Sequence, residues 1–171
     1  SPAFKTVTYQ NQKAGGKPLY QGAKESSVAI IHGASAGADY TAVSRLRLIE
    51  KGANYAYVGE KDDRLVIAHG SKPLSAVDQI LVFGTTKPGE KLIAAVKTGD
   101  SMKVYHQDKF STPVTEILGI KKLKDDSLAW KAFDGEGERV FKDHQAGQLF
   151  EMVMDLKVSP GGRLWYDGIK A

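Results

Sequence analysis

The sequence predicts an α/β protein, an open and mostly parallel sheet with a C-terminal α+β extension. Three observations carry that expectation. The run Ser27-Val28-Ala29-Ile30-Ile31-His32-Gly33 is short, apolar and β-branched and ends on a glycine, as a buried parallel strand does. A small-residue turn, Gly33-Ala34-Ser35-Ala36-Gly37, leads into a stretch in which Ala38, Ala42, Val43, Leu46 and Ile49 share a helical face, closed by Lys51-Gly52 as a C-cap. The same order then returns. Ile80-Leu81-Val82-Phe83 reads as a strand, Gly84 to Gly89 as a polar loop, Glu90 to Thr98 as a short helix ended by Gly99, and Met102 to Tyr105 as a strand. Strand, glycine-bearing loop, helix and strand, met twice, is a Rossmann-like arrangement.

The remaining elements are read around that core. Phe4 to Tyr9 alternates well enough for a first or outlying strand, Gly15-Gly16-Lys17-Pro18 is a loop, and Asn54 to Val58 is strand-like. From about Ser111 the pattern changes. Glu116 to Lys122 reads as a strand, and Leu128 to Phe133 pairs with Arg139 to Phe141 across Asp134-Gly135-Glu136-Gly137, a hairpin whose glycines supply positive φ. Gln145 to Leu156 carries Leu149, Phe150, Val153 and Leu156 at helical spacing. Ser159-Pro160-Gly161-Gly162 breaks it, and Arg163 to Asp167 forms a last strand. The expected organisation is a nucleotide-binding domain over 1–110 with an extension over 111–171 packed on it. No long repeat and no low-complexity tract stands out.

Composition narrows the class. The chain has 171 residues, 42% hydrophobic and 26% charged, the balance of an ordinary globular protein able to bury its own core. Its apolar runs fall far short of the roughly 20 residues a membrane-spanning helix needs, which suggests a cytoplasmic protein. There is no cysteine, so neither a disulfide nor a thiolate nucleophile is available. Lys and Arg number 24 against 20 Asp and Glu, a net charge of +4. The surplus sits in residues 1–110 and favours an anionic partner, although a solvated lysine-rich surface produces the same tally.

The chemistry-bearing stretch is the turn His32-Gly33-Ala34-Ser35-Ala36-Gly37-Ala38-Asp39. A glycine at the end of a parallel strand lets backbone N–H groups approach a ligand, and a following helix N-terminus adds donors and partial positive charge. Ser35 adds a hydroxyl, and Asp39 caps the helix or accepts from a ribose. The second loop, Gly84-Thr85-Thr86-Lys87-Pro88-Gly89-Glu90, has the same placement, with two hydroxyls and a lysine. In open α/β sheets such loops meet at the carboxyl edge, where ligands bind.

At these residues the chain resembles the SLOG superfamily, the DprA/Smf–LOG and YspA-like Rossmann-type nucleotide-binding proteins. His32-Gly33-Ala34-Ser35-Ala36-Gly37-Ala38-Asp39 is similar to the family's hGgaxGaD turn. Asp78 to Gly89, with Ala94-Ala95, is similar to its second strand, loop and helix. The resemblance covers about residues 27–106. It implies a Rossmann-like domain that binds nucleotides or nucleotide-derived ligands, with both loops at the site. The phosphoribohydrolase branch uses a PGGxGTxxE loop, where this chain has Gly84-Thr85-Thr86-Lys87-Pro88-Gly89-Glu90, and Tyr9-Gln10-Asn11-Gln12 replaces the family's first glycine turn. Both departures count against N-glycosidic hydrolysis.

Three functions follow as expectations. The first is a sensor or sequestering protein for a nucleotide or nucleotide-derived anion, held by His32, Gly33, Ser35, Gly37 and Asp39 on one side and Gly84, Thr85, Thr86 and Gly89 on the other. The second is a DNA- or RNA-binding module that contacts phosphates of a single-stranded nucleic acid through Lys13, Lys17, Lys24, Arg45 and Arg47. The third is a hydrolase of a nucleoside N-glycosidic bond with Glu90 or Asp39 as acid or base. No cofactor and no metal is expected, since His32, His69, His106 and His144 lack ligand spacing. Trp130, Trp165 and Tyr166 near Arg163 offer planes for base stacking, but core or interface packing is the stronger reading of them. A homo-oligomer is compatible with all three.

Overall fold

The structure, a computed structural model, describes residues 3–86 and 90–170. It overturns the α/β expectation. Apart from one three-residue 3-10 turn at Glu50–Gly52, every regular element among the described residues is a strand, and every pairing is antiparallel. No helix of the described residues is long and apolar enough to cross a membrane.

The strands form consecutive four-stranded sheets, each a meander in chain order. The first holds β1 (Thr6–Ala14), β2 (Lys17–Ala23), β3 (Val28–His32) and β4 (Ser35–Ala36). The second holds β5 (Ala42–Ile49), β6 (Asn54–Lys61), β7 (Arg64–His69) and β8 (Lys72–Val77). The third holds β9 (Gln79–Thr85), β10 (Leu92–Thr98), β11 (Ser101–His106) and β12 (Lys109–Phe110). The fourth holds β13 (Glu116–Lys122), β14 (Leu128–Phe133), β15 (Glu138–Lys142) and β16 (Gln145–Phe150). Two short ladders follow, β17 (Met152–Val153) with β20 (Gly168–Ile169) and β18 (Lys157–Val158) with β19 (Leu164–Trp165). Such four-stranded meanders are the sheet type that recurs as the blade of β-propellers.

The register exposes a repeat that the sequence conceals. Tyr20 faces Ile31, Tyr57 faces Ala68, Ala94 faces Tyr105 and Trp130 faces Phe141, at intervals of 37, 37 and 36 residues along the chain. The third and fourth strands close in the same phase, through His32 opposite Ser35, His69 opposite Lys72, His106 opposite Lys109 and Lys142 opposite Gln145. The connection to the next sheet repeats as well. Val28 bridges Tyr40 and Met102 bridges Val114, so the chain folds back on the third strand before starting a new sheet.

The chain divides into two compact units, one of Ser1–Asp78 with Pro88–Glu90 and one of Gln79–Lys87 with Lys91–Ala171. In the first, Leu19 and Ile30 of one sheet bury against Tyr55, Tyr57, Val66 and Ala68 of the next. In the second, Ile93 and Val104 bury against Leu128, Trp130, Ala132 and Phe141. A smaller cluster joins Val140 and Phe150 to Val153, with Leu156, Leu164 and Tyr166 packed against it.

In place of the helices expected over 38–49, 90–98 and 145–156 stand β5, β10, and β16 with β17, for physical reasons. In β5 the register slips between Ser44 and Arg47, and Arg45 takes φ +54°. That bulge turns a period of two into a spacing of three between half-buried Val43 and Leu46, which imitates a helical face. In β10 Leu92 to Val96 are all buried, so no alternation marks the strand. Over 145–156 two strands follow one another with a break at Glu151, and their joined apolar positions read as helical. The hairpin expected across Asp134 to Gly137 is present, with Phe133 opposite Glu138. The family resemblance fails with the fold, because its turn, second strand and helix lie here in antiparallel hairpins. The Rossmann-like and SLOG readings are therefore withdrawn.

One contact recurs just ahead of a new sheet or ladder. The ring of Phe4 covers Gly22, Tyr40 covers Gly59 and Phe150 covers Gly168, and a Cβ on any of these glycines would collide with the ring. Gly59→Ala is expected to overpack this contact and destabilise the first unit by about 1–3 kcal/mol. Urea denaturation that shows no loss of midpoint would refute it.

Candidate functional site

Among the described residues, neither predicted loop is a strand-to-helix turn. Gly33 sits at φ +60° in the two-residue turn between β3 and β4, where a β-hairpin demands a left-handed residue. Gly37 donates its backbone N–H to the carbonyl of Ile30 at 2.9 Å and leads back toward β5. Asp39 caps no helix; Lys24 Nζ holds both of its oxygens at 2.8 and 2.6 Å. Gly84 and Thr85 pair in β9 opposite Ile93 and Leu92, and Thr86 is buried with its hydroxyl accepting from Lys91 N at 3.3 Å. Gly89 lies outside the described residues. Glu90 accepts Glu50 N at its backbone carbonyl, 2.9 Å away, and its carboxylate lies 3.8 Å from Lys51.

Nor do the basic residues singled out from the sequence line a common cleft. Lys13 and Lys17 are exposed on either side of the β1–β2 turn, and Lys24 is held by Asp39 and lies 5.3 Å from the Phe4 ring. Arg45 and Arg47 are exposed at the β5 bulge, the Arg47 guanidinium turning back to the Leu46 carbonyl at 3.3 Å.

His32 and Ser35 do belong to a cleft. In the first unit they meet Asn54, Tyr55, His69 and Ser71 around about 390 Å³. His32 Nε2 lies 2.8 Å from the Ala14 carbonyl and its ring packs edge-on to Tyr55 at 5.3 Å. His69 Nε2 lies 3.1 Å from Asn54 Nδ2 and 3.5 Å from the Glu50 carboxylate. The second unit has a cleft of about 320 Å³ in the corresponding place, lined by Lys109, Lys142, Asp143 and His144 between Gln107 and Gln145. The register makes Ser35, His69, Gly70 and Ser71 the counterparts of those four. Beside it, His106 is fully buried with Nε2 3.3 Å from Asp143 Oδ1. Burial pushes the His106 pKa down, against the opposing pull of the Asp143 carboxylate.

A lysine-rich cleft lies elsewhere in the second unit, between the end of β13 and the segment that carries β18 and β19. Its volume is about 640 Å³, and its lining holds Lys121, Lys122, Lys157, Ser159 and Trp165, with the Asp155 carboxylate just outside it, 3.9 Å from Lys157 Nζ. Trp165 is 48% exposed, and Lys157 Nζ stands 4.8 Å from the ring centroid. Trp130, by contrast, is fully buried, stacked on Phe141 at 3.9 Å, and donates its indole N–H to the Asp143 carbonyl at 2.7 Å. One tryptophan is core and the other is surface. Cations and a π-face on one open surface are the elements of recognition for phosphate joined to a base. The sequence reading named Trp165 but missed the lysines. A charge tally places the basic surplus in residues 1–110, and only the fold brings 121, 122 and 157 together.

No protein-family model matches the chain, and no curated protein matches it. Among solved structures it is similar to one described as the crystal structure of BBS1N in complex with ARL6DN, soaked with lead. The TM-score is 0.35 and the identity 11%, over 99% of this chain and 69% of that one.

Because the native His106 pKa is depressed below the ordinary value near 6.5, its neutral form contributes stability that is fully present above that pH and is lost as the pH falls. The denaturation midpoint of the second unit is therefore expected to drop between about pH 7 and 5. In His106→Gln that slope should shrink; an unchanged slope would assign the acid sensitivity to other groups.

Proposed function

We propose that the chain is a binding module, without turnover, for a base-bearing phosphate: a nucleotide, free or within a single strand, seated in the Lys121–Lys122–Lys157–Trp165 cleft. It acts as a sensor or sequestering protein in the cytoplasm. The observation that carries the reading is the convergence of three lysines, against the single neighbouring carboxylate of Asp155, and a half-exposed tryptophan on one lining. Lysines supply phosphate attraction that is sequence-independent and salt-dependent, and an exposed indole stacks on any base. The carboxylates that offered N-glycosidic hydrolysis, Asp39 and Glu90, lie beside Lys24 and Lys51 and neither lines this cleft.

Trp165 provides its own readout, since the chain has two tryptophans and Trp130 is buried. Titration with mononucleotides and with single-stranded oligonucleotides of increasing length is expected to quench the exposed indole. Affinity should fall steeply between 50 and 200 mM salt for the longer strands. Lys121→Ala with Lys122→Ala should weaken binding and flatten the salt dependence. Trp165→Leu, followed by calorimetry, should cost about 1–3 kcal/mol, the value of one stacked base. Tight mononucleotide binding with no gain on lengthening would identify the free nucleotide. Indole emission that no nucleotide or strand alters would sink the proposal.

A further inference from the structure

The lysine–tryptophan cleft has a neighbour. A second cleft of about 260 Å³ adjoins it in the same unit and shares two of its lining residues, Lys121 and Leu156. The rest of the second lining is Leu118, Gly119, Ile120, Lys131, Met154 and Asp155. Strand β13 borders both, with Lys121 and Lys122 along the first and Leu118 to Lys121 along the second. From Gly119 to Lys122 a strand advances about 10 Å. Stacked nucleotides advance about 3.4 Å each, so the joined clefts are longer than one nucleotide needs. The two clefts differ in chemistry. The first holds three lysines and Trp165. In the second, Lys131 is already engaged, its Nζ donating to the Val153 carbonyl at 2.9 Å and lying 3.5 Å from the Glu138 carboxylate. What the second cleft presents to solvent is apolar surface, Leu118 at 37% and Met154 at 56% exposure, beside the Asp155 carboxylate.

A carboxylate repels phosphate, so the second cleft suits an uncharged ring that carries an amino group. A thioether lies well against an aromatic ring, and an aspartate accepts from the exocyclic amino group of cytosine. Lys121, common to both linings, stands where a linking phosphate passes from one cleft to the other. We propose that the ligand is a single-stranded nucleic acid bound over at least two consecutive nucleotides. The first base stacks on Trp165, Lys121 contacts the phosphate that joins the two, and the second base lies on Met154 and Leu118 with its amino group donating to Asp155. This rests on the nucleotide reading given above and narrows it from a free nucleotide to a strand, with amino-bearing bases preferred at the second position.

Indole emission and calorimetry on the whole chain, with dCMP and the dinucleotides pdCpdC and pdTpdT, test it. The second base is expected to make pdCpdC bind about tenfold more tightly than dCMP, within the range for one stacked base. The gain should be smaller for pdTpdT, which presents a carbonyl where cytosine has its amino group. Met154→Ala, at an exposed position, should remove most of the gain and leave dCMP affinity unchanged. Asp155→Ala should bring pdCpdC and pdTpdT to the same affinity. Quenching by dCMP with no gain for pdCpdC, or equal affinities of the two dinucleotides for the wild type, overturns this inference and leaves the nucleotide cleft standing. Silence toward all three compounds would instead remove the nucleotide reading, and this inference with it. The wild-type comparisons decide by themselves, so a variant that fails to fold leaves the test intact.

Discussion

Each unit of this molecule rests on a large ring at one position of a second strand, pressed against the sheet before it. In the first unit the ring is Tyr57, in the second Trp130, and the register shows them to be the same position. A four-stranded meander cannot bury a face by itself, so it is stable only against a neighbour. Rings of this kind bury about 150–250 Å², which at about 25 cal/mol/Å² amounts to roughly 4–6 kcal/mol as an upper estimate. That is comparable to the whole net stability of many domains. The short turns, the connecting bridges and the clefts at the sheet margins all take their places from this stacking.

The first strand of each sheet is an edge, and each carries an irregularity. The register slips between Tyr9 and Lys13, between Ser44 and Arg47, opposite Ala95 and Val96, and between Ile117 and Gly119. Bulges twist an edge away from flat pairing and so protect it against joining another chain. They also shift the phase of the side chains, leaving Leu81 and Leu118 exposed in the middle of apolar strands. This one device guards the edges and, in β5, hides the strand from a periodicity reading.

What the sequence disclosed and what it concealed follow from that. Strands with clean turn chemistry were legible: β13, the β14–β15 hairpin and β3 stand where alternation and glycine placement put them. Whether neighbouring strands ran parallel or antiparallel was not, because Ile30 and Ile80 are buried in either case and buried strands lose their alternation. The repeat was concealed because its equivalent positions hold Tyr, Tyr, Ala and Trp, alike in burial role but not in letter. The lysine–tryptophan cleft was illegible for a different reason. Lys121 and Trp165 are far apart in sequence, and no local rule brings them together.

The glycine turn that suggested a phosphate loop shows how shape passes for chemistry. Gly33 has φ +60°, and the same turn position is filled by Gly70 at +59°, Gln107 at +50° and Asp143 at +51°. What recurs there is a left-handed backbone, which a two-residue hairpin requires and which glycine supplies with least strain. Ligand chemistry, by contrast, varies at the neighbouring positions. Ser35, His69 and Ser71 around one cleft correspond to Lys109, Lys142 and His144 around the other, so that two lysines and a histidine replace two serines and a histidine on an unchanged scaffold. A residue kept by backbone geometry therefore says little about the ligand. Function is to be sought instead where a side chain offers more than the scaffold needs, as Trp165 does with its open face.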